Sequence, residues 1–216
     1  MFLSPILIRI IAALVIVVAF RVLLYLLKPR PAPLGFRTLE GQDFSVAQEK
    51  LVDLPYFEVG EIKEIYEGQL GNGKRAWVLE ICQIETSGDY RYRRYLSAIV
   101  VRLKNELPTC RISRRNASPE LIHPDNYQEI VIGNPKFNTQ IEVTGRNDDR
   151  VRSIISPEVQ AFLLKEPAPS YGIKENRLVC LWSGRLTRKQ VEERIHCASW
   201  LLHALSRARS EKLENA

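Results

Sequence analysis

The first 28 residues form a nearly continuous apolar run. From residue 2 to residue 27 the run has no Asp, Glu, Asn, Gln or Gly, and only Arg9 and Arg21 interrupt it. About 20 apolar residues cross the roughly 30 Å of bilayer hydrocarbon, and arginines near the helix ends can extend toward the head groups. A cleaved signal peptide would have a shorter apolar core, and an interfacial helix would have a broader cationic face. The pattern therefore predicts an uncleaved transmembrane anchor at 1–28.

The charges beside this anchor predict its orientation. Lys28, Arg30 and Arg37 follow the membrane span, and Arg21 lies near the same end, whereas Arg9 and the amino terminus lie at the other end. Because basic flanks stay on the cytoplasmic side of a membrane, we expect the bulk of the chain in the cytoplasm. Three prolines within residues 29–33 favour extended backbone, so residues 29–43 are assigned to a linker.

Beyond the linker, stretches of period two alternate with stretches of helical period. This pattern predicts an α+β soluble domain at 44–209, built of antiparallel meander and hairpin sheets, a few helices and a long C-terminal helix. The domain has two possible halves, 56–115 and 127–209. The charged end of the chain at 210–216 is expected to fray.

In the first half, Ser45 and Gln48 have the spacing of a capping box before a helix that ends near Asp53. Gly71-Asn72-Gly73 predicts the turn of a hairpin over 58–86. The following segment, 90–103, also fits helical spacing. Its β-branched residues and the preceding turn at 87–89 favour a third meander strand. A further short strand is expected at 109–113.

In the second half, a loop containing Pro119 and Pro124 is expected to precede strands at 127–132 and 137–143. Two short helices should follow, the first capped by Asn147 and the second by Ser156 with Pro157 at its first position. A hairpin at 172–184 with its turn at 175–176, and a long helix opening at Thr187, complete the domain.

The net charge of +6 resides mainly in the anchor and its flank. Residues 1–37 contain five basic residues and no acidic one, which leaves 26 basic against 25 acidic residues in the rest of the chain. The lipid bilayer is therefore the expected partner of this region. The four cysteines, without CxxC spacing, are interpreted as reduced core thiols.

Residues 91–115 hold a local excess of positive charge, interleaved with Tyr90, Tyr92 and Tyr95. Arginines among aromatic residues can bind lipid head groups or nucleic acid. Residues 38–90 have 11 acidic and four basic residues, so pairing between strands is favoured over an anion-binding patch. Near a bilayer, nucleic acid is disfavoured as a partner. The candidate anion- or lipid-binding residues are Arg91, Arg93, Arg94, Arg102, Lys104, Arg111, Arg114 and Arg115.

Other motifs for chemistry are weak. The glycine-rich turn before Arg75 lacks the strand, helix and Ser/Thr of a phosphate-binding loop. His196 and His203 are seven residues apart, whereas helical metal ligands are three or four apart. We therefore predict no metal, no cofactor and no catalytic residue. The acids Asp148 and Asp149 are interpreted as residues of a helix N-terminus.

Three segments carry a family resemblance: Leu107 to Ile112, Asn134 to Val143 and Val151 to Leu164. In the last, two short helices surround a Ser-Pro-Glu. Over Tyr56 to Leu205 the chain resembles uncharacterised bacterial single-pass membrane-anchored proteins. The resemblance implies a domain of unknown function and supplies no site residues.

These observations favour a membrane-anchored binding or adaptor module with an unknown protein partner over an enzyme. One alternative is a membrane-tethered, hydrolase-like enzyme whose site residues are dispersed in sequence, with the acids near Asp148 and Asp149 as candidates. Another is binding of anionic lipid or nucleic acid through residues 91–115. The sequence leaves the oligomeric state undetermined.

Overall fold

The computed structural model divides the chain into two compact units, Met1–Pro31 and Ala32–Ala216. It describes residues 15–18, 21, 32–52, 60–71, 73–87, 89–103, 106–115, 127–146, 148–166, 170–174 and 176–214. Residues 15–18 and 21 are helical, but the rest of the predicted anchor at 1–28 lies outside the described residues. Within the described part of the chain, no helix is long and apolar enough to span a membrane.

The Ala32–Ala216 unit is an α+β fold built on one nine-stranded antiparallel sheet, which confirms the predicted fold class for this unit. The strand order across the sheet is β1-β2-β3-β4-β9-β8-β5-β7-β6. The strands are β1 (Phe36–Thr38), β2 (Glu61–Gln69), β3 (Arg75–Ser87), β4 (Tyr90–Arg102), β5 (Cys110–Arg114), β6 (Gln128–Glu129), β7 (Ile141–Gly145), β8 (Ser170–Lys174) and β9 (Arg177–Ser183). The helices are α1 (Gly41–Val52), α2 (Pro135–Gln140), α3 (Asp148–Ile154), α4 (Pro157–Lys165) and α5 (Arg188–Glu214).

The sheet is covered on both faces. The α1 face packs Leu51 against alternate strand residues such as Leu79 and Val100. On the other face, residues of α3, α4 and α5 pack with β4 residues that include Ile99 and Val101. Because side chains alternate along a strand, β4 contributes to both clusters, and its residues from 96 to 101 are all buried. Burial on both faces explains why the apolar run of this strand is continuous, and a continuous run also fits the spacing of a helix.

The hairpin of β8 and β9 lies between β4 and β5 in the sheet. The sequence segments 56–115 and 127–209 therefore contribute to one sheet and share its core. The compact unit begins at Ala32, so it takes in most of the segment 29–43 that the sequence assigned to a linker.

Several turn and cap predictions are confirmed. Gly73 has a φ of +73° in the turn between β2 and β3, and Asn176 has a φ of +61° in the turn between β8 and β9. The Ser156 Oγ accepts a hydrogen bond from the Val159 amide at 3.3 Å at the start of α4. At the start of α5, the Thr187 Oγ accepts from the Gln190 amide, while the Gln190 Oε1 accepts from the Thr187 amide. This is a reciprocal capping box.

Three local predictions are corrected. Ser45 does not cap α1, because the helix starts at Gly41 and the Ser45 hydroxyl donates to the Gly41 carbonyl inside it. Phe137 lies in a helix rather than a strand, since Asn134 caps α2 and Pro135 occupies its first position. The predicted strand at 127–132 shortens to two residues.

Two further predictions concern the loop and the tail. The loop expected around Pro119 and Pro124 lies outside the described residues. Helix α5 continues through Glu214, which takes it into the segment 210–216 that was expected to fray.

Candidate functional site

The cations of residues 91–115 do not share one surface. Arg91 and Arg102 stand near opposite ends of β4, about 36 Å apart at the usual rise of a strand. Arg111 is buried in β5 with 3% of its surface exposed. The others are dispersed as well: Arg114 donates to the Glu166 carbonyl, Arg115 pairs with Glu129, and Lys104 lies outside the described residues. Among the described cations of this segment, only Arg91, Arg93 and Arg94 lie close together, at the start of β4.

This group belongs to an arm, which we define as residues 83–87 and 89–94. The ladder between β2 and β3 ends at the pair Glu61 and Cys82, and the ladder between β4 and β9 ends at Leu96 and Ser183. Strands β3 and β4 continue beyond both points. The two strands of the arm therefore extend about 17 Å past the last ladder pairs that the described residues make with β2 and β9, at about 3.4 Å per residue.

Each face of the arm has its own chemistry. Ile84 is directly opposite Arg93, and Thr86 is opposite Arg91 on the same face. Both arginines are exposed, and 69% of the surface of Ile84 is accessible. This face therefore presents an apolar side chain beside two guanidinium groups, and no described carboxylate lies opposite either of them in the ladder.

The opposite face of the arm is held by Glu85. Its carboxylate accepts a hydrogen bond from the Tyr92 hydroxyl at 2.5 Å and from the Arg94 Nη1 at 3.0 Å. These bonds, first that of Tyr92 and then that of Arg94, lower the pKa of Glu85, and the pKa of Tyr92 is raised in turn. The predicted pairing between strands is realised here, so Arg94 serves the structure of the arm.

The base of the arm is fixed by Arg185. Its guanidinium lies 3.7 Å from the centroid of the Tyr95 ring and pairs with the Glu80 carboxylate at 2.8 Å. The Glu80 side chain is only 8% exposed. A cation stacked on an aromatic ring and paired with a buried carboxylate is strongly oriented, so the arm leaves the sheet from a rigid base.

A second candidate surface is a groove of about 660 Å³ between α1 and the sheet. Its floor includes the apolar side chains Leu39, Val46, Leu51 and Trp77. Five cationic side chains and two carboxylates line it, for a net charge of +3. The volume falls within the range of about 300–1,000 Å³ that is usual for small-molecule sites.

Glu67 organises one end of the groove. It accepts hydrogen bonds from the Arg37 Nη2 at 3.0 Å, the Arg75 Nε at 2.6 Å and the Trp77 Nε1 at 3.1 Å. Burial raises the pKa of Glu67, but the bonds from Arg37 and Arg75 outweigh it, so the pKa lies below its ordinary value. Arg37 also pairs with Asp43 at 3.4 Å. The charges at this end are therefore compensated within the protein.

Beyond Arg75, on strands β4 and β9, the groove is cationic. Arg102 of β4 and Arg177 of β9 are directly opposite each other in the ladder. Arg75 is one step beyond the pair Ala76 and Val101, which places three arginines side by side on adjacent strands. We call Arg75, Arg102 and Arg177 the arginine row. Lys50 lines the same groove, and its carbonyl accepts from the Arg177 Nη1 at 2.8 Å.

Cys110 and Cys180 lie in the core, and Cys197 is half-buried. Burial raises the pKa of Cys110 to about 12 and also raises that of Cys180. Burial and the adjacent Glu166 raise the pKa of Cys197 to about 11. A thiol is nucleophilic only as the thiolate, so these three side chains are protonated at neutral pH.

The remaining chemical candidates are not brought together. Asp149 is exposed at the start of α3, and His196 and His203 are exposed on α5. Ser156 acts as the cap of α4. Within the described part of the chain, no group of three or more His, Cys, Asp or Glu side chains is arranged to hold a metal ion.

Sequence reasoning grouped Arg102 with the other cations of residues 91–115 and did not identify the groove that it lines. Glu67 and Arg75 belong to one hairpin, but Arg102 and Arg177 are far from it and from each other in the chain, and only the ladders bring them together. A usable signal was present in part. At the ends of three predicted strands, arginine, aromatic and acidic residues alternate with apolar ones. Such alternation places these side chains on one face of each strand, and the register then decides which of them meet.

The fold has a counterpart among solved structures. No family model matches the chain, and no curated protein sequence matches it. The chain resembles the crystal structure of the mycobacterial trehalose monomycolate transport factor A, TtfA, with a TM-score of 0.55 and 16% sequence identity. The match covers 79% of this chain and 87% of that one. At this identity, the likeness establishes a shared fold.

Proposed function

We propose that this is a single-pass membrane protein whose Ala32–Ala216 unit is a cytoplasmic binding or adaptor module. The apolar run at 1–28 supports the anchor, and the basic residues that follow it support the orientation. The name of the TtfA structure, a transport factor, is consistent with action through binding. The anchor would hold the module close to the bilayer.

The arm is the observation that carries this proposal. A two-stranded projection exposes backbone and side chains that add little to the core, so its composition is free to serve contacts with another molecule. Tyr90 is 81% exposed at its tip, and Ile84 is 69% exposed beside Arg93. Tyrosine and arginine are enriched in the energetic centres of protein interfaces. The arm fits an acidic protein surface with an apolar depression that receives Ile84.

Charge reversal in the arm tests this role. The full chain would be tagged, reconstituted in nanodiscs of neutral lipid and exposed to lysate, with bound proteins quantified by mass spectrometry. We expect the double variant Arg91→Glu, Arg93→Glu to lose a partner that the wild type retains. The matched control is Lys136→Glu, Lys189→Glu, which reverses two exposed cations outside the arm and should retain it. Equal recovery by both variants would exclude the arm as the docking surface.

The membrane location has its own test. The full chain should stay with the membrane fraction after extraction with alkaline carbonate, and a chain lacking residues 1–28 should be released. A tag after Ala216 should be inaccessible to protease in intact cells if the domain is cytoplasmic. Release of the full chain by carbonate would contradict the anchor.

Contact with anionic lipid head groups is the second candidate for the arm. The observation that favours it is the exposed combination of Tyr90 and Tyr92 with Arg91 and Arg93, since such residues occur together at membrane interfaces. Protein carried in neutral nanodiscs should then co-sediment with phosphatidylglycerol vesicles but not with phosphatidylcholine vesicles. Vesicle binding that weakens as the salt concentration rises, and that disappears in the double variant Arg91→Glu, Arg93→Glu, would support lipid over protein as the partner.

A further inference from the structure

We propose that the groove between α1 and the sheet binds a phosphate-bearing amphiphile, with the phosphate on the arginine row and the alkyl chain along the apolar floor. This site goes beyond the proposed function. It uses a different surface from the arm, and either can fail without the other.

The charge arrangement is the first argument. Like charges directly opposite each other in a ladder destabilise a sheet, yet Arg102 and Arg177 occupy such a pair. Within the described part of the chain, no salt bridge is formed by Arg102, Arg177 or Lys50, whereas Arg37 pairs with Asp43 and Glu67 and Arg75 pairs with Glu67. A bound anion would remove this repulsion. Because no described carboxylate of the protein pairs with Arg102 or Arg177, a ligand can take this position.

Preorganisation is the second argument. The Arg177 guanidinium is held by the Lys50 carbonyl, at the C-terminal turn of α1. At the opposite flank, Arg75 is bonded to Glu67 and lies 5.1 Å from the centroid of the Trp77 ring. Two of the three guanidiniums are therefore fixed before any ligand arrives, which reduces the entropy cost of binding.

The geometry favours phosphate as the anion. Adjacent strands are about 4.8 Å apart, so the arginine row extends over about 10 Å. A carboxylate has two oxygens and fits one guanidinium fork, whereas a phosphate ester offers three or more acceptor positions and is a preferred partner of arginine clusters. Lys50 can add a further charge from the helix side of the groove.

The floor argues for an apolar chain beside the phosphate. Leu39, Val46, Ala47, Leu51 and Trp77 line the groove next to the row. Val46 is an apolar residue of α1, yet it lines the groove with 43% of its surface exposed and is not buried in the core. A purely ionic ligand would gain nothing from this surface, whereas an alkyl chain gains affinity with each methylene group that it buries there.

Octyl phosphate, inorganic phosphate and octyl glucoside are the test probes. Each would be titrated, below its micellar concentration, into the full chain in nanodiscs of neutral lipid, with calorimetry as the readout. We expect octyl phosphate to bind at least 10-fold more tightly than inorganic phosphate, and octyl glucoside to show no saturable binding. Equal affinity for octyl phosphate and inorganic phosphate would overturn the amphiphile and identify a site for soluble phosphate compounds.

Variants separate this site from the arm and from the bilayer. Arg102→Gln, Arg177→Gln should weaken octyl phosphate binding at least 10-fold, while Arg91→Gln, Arg93→Gln should leave it unchanged. As a second readout, an octyl phosphate analogue brominated on its chain should quench the fluorescence of Trp77, and the quenching should disappear in Trp77→Phe. Unchanged affinity in the Arg102, Arg177 variant would overturn the proposal, as would binding that the arm variant abolishes.

Discussion

Replacing Glu67 by Gln should destabilise the Ala32–Ala216 unit and reduce the dependence of its free energy of unfolding on acidic pH. The carboxylate side chain is 11% exposed and accepts hydrogen bonds from Arg37, Arg75 and Trp77. Glutamine has nearly the same volume and can still accept from Trp77. It lacks the charge that holds two guanidiniums at the end of the groove.

The magnitude follows from these contacts. A hydrogen bond to a charged group contributes about 1.5–3 kcal/mol when it is buried. The Arg37 and Arg75 side chains are 65% and 56% exposed, so solvent screening reduces the value for the network. We therefore expect a loss of about 1–2 kcal/mol in the free energy of unfolding, equivalent to about 2–8 °C in Tm for a domain of this size.

The pH dependence has a definite sign. The folded pKa of Glu67 lies below its ordinary value of 4.5, so the stabilisation is fully present above the unfolded pKa and is lost as the pH falls through the folded one. The difference between wild type and Glu67→Gln should be largest near neutral pH and should shrink below about pH 4.

Chemical denaturation of the full chain, followed by near-ultraviolet circular dichroism from pH 3 to pH 7, measures both effects. Glu61→Gln is the matched control, because this residue of the same strand is 68% exposed and, among the residues that the structure describes, pairs only with Lys63. Its free energy of unfolding should change by less than about 0.5 kcal/mol. If Glu67→Gln matched the wild type at pH 7, or if the difference persisted undiminished at pH 3, the role assigned to this carboxylate would be refuted.

Three other predictions concern the core, the base of the arm and the thiols. Ile99→Val should cost about 0.5–1.5 kcal/mol in equilibrium unfolding, because the side chain is fully buried, whereas Ile84→Val on the exposed arm should be neutral. Arg185→Ala should cost about 1–3 kcal/mol by removing the salt-bridge partner of a buried carboxylate, while Arg188→Ala, which breaks an exposed helical pair, should cost less than about 0.5. Cys197, with a pKa of about 11, should react with a disulfide reagent at pH 8 at least about 10-fold more slowly than a free thiol of pKa about 8.5. Rapid labelling in the folded protein would contradict the raised pKa of this half-buried thiol.

The sequence predicted turns and helix caps correctly where a residue determines its own backbone conformation. Gly73 and Asn176 occupy turns with positive φ, and Ser156 and Thr187 cap helices as their side chains allow. Asn134 followed by Pro135 carried the same type of signal for α2, but the apolar residues that follow led to the prediction of a strand. A short apolar segment fits either structure, and the cap was the more informative feature.

The candidate sites depended on contacts between distant segments. Arg102 and Arg177 are far apart in the chain, and their opposition exists only because the hairpin of β8 and β9 inserts beside β4. The arm exists because β3 and β4 are longer than the strand beside β4. They have 13 residues each, whereas β9 has seven. Neither fact can be read from a local window.

The sequence by itself determined the alternation of strands and helices, the turns and caps, and the apolar run from which the anchor at 1–28 is predicted. These features depend on interactions within a few residues or on composition alone. Tertiary structure decided which cations share a surface, because a side chain's neighbours depend on strand register and on the order of strands across the sheet. It separated residues 91–115 into a paired group, a buried arginine and an exposed arm, and it assembled the groove from β1, α1, β2, β3, β4 and β9.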